Sequence, residues 1–63
     1  MRIFTIVTRS GEALFPDCHY DTAKAAKIAA SKLGYNKICE VSKYSYSCYN
    51  IQQKINGKWQ KID

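Results

Sequence analysis

Residues 22–33, Thr22-Ala23-Lys24-Ala25-Ala26-Lys27-Ile28-Ala29-Ala30-Ser31-Lys32-Leu33, are rich in strong helix formers. Asp21 or Thr22 suits the N-cap, and Gly34 stands just past the last helical residue, where a left-handed C-cap is commonly needed. The stretch predicts the chain's one helix. What flanks it then decides the fold, and the flanks read as strands.

Ahead of the helix, Arg2-Ile3-Phe4-Thr5-Ile6-Val7-Thr8 is a run of β-branched and aromatic residues closed by Arg9-Ser10-Gly11, which predicts a first strand. Ala13-Leu14-Phe15 pairs back on it as a short second strand, before Pro16 and Asp17 stop the pairing. Behind the helix, Lys37-Ile38-Cys39-Glu40-Val41 and the run from Tyr46 to Ile55 read as strands joined by a polar turn, Ser42 to Ser45. Asn56-Gly57 suits a two-residue type I′ turn, in which both central residues take positive φ, so Gln52–Ile55 and Lys58–Ile62 form a terminal hairpin. The expectation is an α+β fold: a single helix packed on one face of a three- to four-stranded antiparallel sheet, β-(β)-α-β-β-β, in one small domain over residues 1–63.

One helix covers one face, so the other face is expected to be solvated in part or to meet a partner. Unbroken alternation along the long strand puts Tyr49, Ile51 and Ile55 in the core, and Tyr44, Tyr46, Cys48, Asn50, Gln52 and Lys54 on the open side. Tyrosines beside Lys54, Lys58 or Lys61 then make a contact patch, or simply cover a sheet face as cross-strand pairs. For the helix two rotations fit. One buries Ala26, Ala29, Ala30 and Leu33 and leaves Ile28 exposed among lysines. The other buries Ala25, Ile28, Ala29 and Leu33 while the Lys32 stem lies along the edge of the core, and the usual burial of Ile favours this second one. Both leave Lys24 and Lys27 facing solvent.

The net charge of +5 is unevenly spread, −1 over residues 1–21 and +6 over residues 22–63. Such a distribution suits a partner of negative potential, or merely keeps a small protein soluble. Eight Lys against two Arg is a poor set for bidentate reading of guanine. The three cysteines, Cys18, Cys39 and Cys48, form no C-x-x-C pair, and the single His19 adjoins Cys18, so neither a metal site nor any cofactor is expected and the cysteines read as thiols. Gly11, Gly34 and Gly57 stand alone, so no phosphate-cradling loop is present. A catalytic base would have to be His19 on a loop with no supporting shell, so the expectation is a protein without enzymatic activity. No string matches the RRM signature, although single-stranded bases can stack on Tyr44, Tyr46 or Trp59 over a lysine-rich face. Without an apolar run of about 20 residues or a leader-like start, a cytoplasmic protein with no membrane partner is expected.

The stretch Ala23 to Lys32, set between an N-terminal strand and a tail ending in Asn56-Gly57-Lys58-Trp59, resembles small phage-encoded anti-CRISPR proteins, the type I-F inhibitors of the Csy surveillance complex. The resemblance implies a stoichiometric inhibitor working in a host cytoplasm, bound to a host protein or ribonucleoprotein complex at a groove that receives target DNA. A net positive charge sits better with contacts to guide RNA, DNA or acidic rims than with occupation of a basic groove. By surface argument alone, Lys24, Lys27, Lys32, Tyr44, Tyr46, Lys54, Lys58 and Trp59 are the candidate contacts. The second reading is a small basic protein that binds nucleic acid directly, and an exposed edge strand leaves monomer and dimer both open.

Overall fold

The computed structural model describes residues 2–62; Asp63, which enters the charge count, lies outside them. Four strands, β1 (Ile3–Val7), β2 (Lys37–Val41), β3 (Cys48–Ile55) and β4 (Lys58–Lys61), form one antiparallel sheet in the order β1-β2-β3-β4, with helix α1 (Ala23–Leu33) between β1 and β2 in sequence. This is the expected α+β arrangement with four strands. Ala13-Leu14-Phe15 does not become a strand of its own. It contributes a single bridge, Val7 to Ala13, and residues 12–20 run along the outer edge of β1 through Leu14 N–H to Ile6 C=O and the reciprocal Phe4 and Tyr20 bonds.

The helix begins where Thr22, in extended backbone, accepts the Ala25 N–H on Oγ1 at 3.1 Å. It ends at Gly34, whose φ of 83° is a conformation that only glycine adopts cheaply, with the Tyr35 N–H closing on the Ala30 carbonyl. Its buried residues are Ala26 and Ala30, while Ile28 is 49% and Leu33 58% exposed. The rotation that buries Ile28 is therefore corrected. Two alanines one turn apart let the helix axis lie close against Phe4, Ile6 and Ile38, and a longer side chain there would hold it off the sheet.

The opposite face is less open than one helix suggests. Val7, Cys39 and Val41 are buried there, packed against Ile3 and Ile51 of the neighbouring strands and against Ala13 and Phe15, and Thr5 is buried too, its hydroxyl donating to the Cys18 carbonyl. Over β1 and β2 the 12–20 segment does what a second layer would do. Beyond β2 it gives no such cover, and β3 and β4 hold no residue classed as buried.

β3 carries a bulge. Glu40 pairs with Tyr49 and Ile38 with Gln52, so Asn50 and Ile51 together face Cys39, and Asn50 has a φ of 50°. The extra residue corrects the expected alternation: Tyr49 falls on the helix side with Gln52 and Lys54, whereas Ile51 packs on the far face. The strand also starts later than expected. Residues 42–47 are a loop held by the Ser42 hydroxyl, which accepts the Tyr44 and Ser45 N–H groups, and Tyr46 sits in it at a φ of 56°. The Asn56-Gly57 turn, with φ of 51° and 80°, is the expected one.

Candidate functional site

Register and packing bring some of the predicted contact residues together and separate others. Trp59 pairs with Lys54 across the terminal hairpin, and both project on the side where α1 lies. The indole packs against the edge of the helix-side core. Lys27 Nζ lies 6.0 Å from its centroid, and Lys54 Nζ donates to Ser31 Oγ at 3.4 Å. Lys61, opposite Gln52, joins the same side. The result is a step: the helix wall supplies Lys27 and Ser31, and the β3–β4 floor projecting beyond it supplies Lys54, Trp59 and Lys61. The expectation that Lys27 simply faces solvent is corrected to a half-buried lysine over an aromatic ring.

The other candidates lie elsewhere. Lys24 is exposed one turn before Lys27 on the helix, and Lys32 is rotated by about 140° from Lys27 onto the opposite shoulder. Lys58, paired with Ile55, projects from the far face. Tyr44, 90% exposed, has Lys43 Nζ 5.7 Å from its ring centroid. Tyr46 stacks edge-on against Phe15 at 5.1 Å. Both tyrosines belong to the 42–47 loop, about 20 Å along β3 from Lys54. They do not share a patch with Trp59.

Charge sorts in the same direction. Among the described residues, Glu12, Asp17 and Asp21 are exposed on or next to the segment that borders β1, and the only other acid, Glu40, is buried and paired. Six of the eight lysines stand on α1 or on the β3–β4 hairpin. With Arg2 and Arg9 counted, the β1 flank carries a charge of only −1, whereas α1 and the β3–β4 hairpin carry six lysines and no acid. Such an uneven distribution of charge orients an anionic partner toward the α1 and β3–β4 side.

A group that sequence reasoning missed lies at the other end of the sheet. The Glu40 side chain, 6% exposed, receives Arg2 Nε and Nη2 at 3.0 and 2.9 Å, the Tyr49 hydroxyl at 3.1 Å and Asn50 Nδ2 at 3.2 Å. The bulge is what delivers Tyr49 and Asn50 to the same carboxylate. Arg2 above all, against the cost of burial and with help from Asn50 and Tyr49, holds the Glu40 pKa down to about 2. The Tyr49 hydroxyl is pushed up, first by loss of solvent and then by its bond to the carboxylate. A carboxylate with its acceptor sites filled and its proton affinity this low makes a poor general base; its work is to tie the start of β1 to β2 and β3. The available signal was one acid inside an apolar strand, but its partners depend on a register and a bulge.

The three cysteines are thiols, and Cys39 is fully buried. Among the described residues no group of three or more His, Cys, Asp or Glu is placed to hold a metal ion, no pocket forms, and no helix is long and apolar enough to cross a membrane. No protein family, curated protein or solved structure matches this chain.

Proposed function

We propose that this chain is a non-catalytic binding module that works by covering an anionic surface of a larger host assembly with its helix–β4 flank. The observation that carries this reading is the uneven distribution of charge across the sheet, with Lys27, Lys54 and Lys61 gathered around the half-buried Trp59 on the basic side. An aromatic anchor ringed by cations is the composition of a contact surface whose centre gives affinity and whose rim gives orientation. The resemblance to anti-CRISPR proteins supports a host defence complex, such as a CRISPR surveillance complex, as the assembly that is blocked, and the host cytoplasm as the place.

The test is a pull-down of the tagged protein from bacterial lysate, with and without nuclease. A defined protein complex retained after nuclease is the expected result, and its loss on replacing Lys54 and Lys61 by Glu assigns it to this flank. Failure to retain any complex contradicts the proposal. Direct nucleic-acid binding is favoured by the same indole among lysines, and it has its own signature: retention abolished by nuclease, with affinity falling steeply as salt is added.

A further inference from the structure

We propose that the partner of the basic flank supplies an extended acidic segment that adds to the sheet as a fifth strand along β4; this rests on the reading above and specifies how that surface is used. The two edges of the sheet are treated differently. The outer edge of β1 is occupied by the chain itself, through Thr8 N–H to Glu12 C=O, Leu14 N–H to Ile6 C=O and the Phe4–Tyr20 pair of bonds. The outer edge of β4 has no such cover among the described residues.

The register says which groups that edge offers. In a hairpin closed by a two-residue turn, the flanking pair Ile55–Lys58 exchanges both backbone bonds, and the pairs then alternate, so Gln53–Gln60 and Ile51–Ile62 bond inward. The Ile62 N–H to Ile51 C=O bond at 3.0 Å fits this phase. Trp59 and Lys61 are left with their N–H and C=O groups directed away from β3. They are two residues apart, the repeat at which an antiparallel strand places its paired groups.

The flanking charges choose the occupant. Lys58 and Lys61 stand on β4, one on each face, and Lys54 lies behind them. Lysines on an edge strand repel a second copy of the same edge, which is how many proteins protect such edges. A strand bearing Glu or Asp turns that repulsion into attraction on both faces while its backbone fills the open groups, the mode in which main-chain bonds give affinity and side chains give selectivity.

The test is amide hydrogen exchange, read residue by residue by NMR on the intact chain, with a synthetic peptide of alternating Glu and Val about eight residues long. A second peptide of the same sequence has its alternate amides N-methylated on the edge that would face β4. A short oligothymidylate is the third probe. The expected result is that the first peptide slows exchange at Trp59 and Lys61 by about tenfold or more without further slowing Lys58 or Gln60, and that the methylated peptide binds about tenfold more weakly. Replacing Lys61 by Pro removes one outward N–H and leaves the β3–β4 bonds in place; it should weaken the peptide more than Lys61→Ala does while the melting temperature holds.

Equal binding of both peptides overturns strand addition and leaves the basic-flank reading standing. Binding of the oligonucleotide in place of the peptide overturns it in favour of nucleic acid. Protection at Trp59 and Lys61 that appears with protein concentration alone overturns it in favour of self-pairing. If none of the probes binds, the strand proposal fails, whereas the module reading fails only if no complex is retained from lysate.

Discussion

The two halves of the sheet are built from the same kind of strand and end in opposite states. In β1 and β2 every residue after the first is buried, between α1 on one face and Ala13 and Phe15 on the other. In β3 and β4 none is buried, although Ile51 and Ile55 are as apolar as the isoleucines of the first half. Hydrophobicity alone does not place a residue in the core; a covering layer does. A chain this short has one helix and one long loop to lay down, and both are spent on β1 and β2. The half left thin is the half that carries the lysines, and that coincidence underlies the functional reading.

The sharpest way to break this contrast is to make the same deletion in both halves. Ile38→Ala removes a fully buried side chain beneath Ala26 and Ala30 and should cost about 3 kcal/mol, enough to leave a domain of this size partly unfolded. Ile55→Ala, at a residue already 38% exposed, should cost about 0.5 kcal/mol. Urea unfolding of the two variants side by side decides it. Similar losses would mean that the halves are equally packed in solution.

Next in size is the Glu40 tie, which belongs wholly to the β1 end. Its folded pKa of about 2 lies below the ordinary 4.5, so its contribution is whole above pH 4.5 and is lost as the pH falls through about 2. Glu40→Gln should therefore cost about 2 kcal/mol at neutral pH, allowing for the solvent that reaches the 67%-exposed Arg2 side chain, and almost nothing at pH 2. Urea midpoints of both proteins at pH 7 and pH 2 check the convergence. A gap that stays constant with pH would remove the ion pair from the account.

Two smaller changes sharpen the contrast from the hairpin side. Gly57→Ala keeps the space open, since an added Cβ meets nothing within 4 Å, but asks alanine to hold a φ near 80°, at about 1 kcal/mol. Its effect should appear as faster exchange in β4, with β1 and β2 changed only through global stability. Lys27→Gln removes the cation over the Trp59 ring and should cost about 0.5 kcal/mol, seen as a small downward shift of the melting temperature together with a changed indole fluorescence. An unaltered spectrum would mean that Lys27 spends its time elsewhere.

The parts of the fold that could be read in the sequence are those encoded locally. The Thr22 cap, the Gly34 stop and the Asn56-Gly57 turn are backbone requirements answered by residues at fixed offsets, so helix and hairpin were legible. Alternation on β3 was not, because an asparagine at a φ of 50° shifts the phase by one residue, so that Tyr49 keeps the expected helix side while Ile51 and Ile55 turn to the far face and Gln52 and Lys54 to the helix side. The helix rotation failed for a different reason. Ile28 outranks alanine in burial propensity, but close approach to the sheet needed small residues, and Ala26 and Ala30 supplied it. For the candidate surface, residue types were legible but their grouping was not: Lys27, Lys54 and Trp59 meet across three elements, whereas Tyr44 and Tyr46 share a loop at the far end.

The most direct test of the central claim, that the thin basic half is the working surface, reverses charge on each flank in turn. One variant carries Lys54→Glu and Lys61→Glu; the other carries Glu12→Lys and Asp17→Lys at the β1 border. With both melting temperatures close to that of the parent, capture of a nuclease-resistant complex should be lost in the first and kept in the second. Capture that survives reversal of the β4 flank and disappears with reversal of the β1 flank would contradict the account.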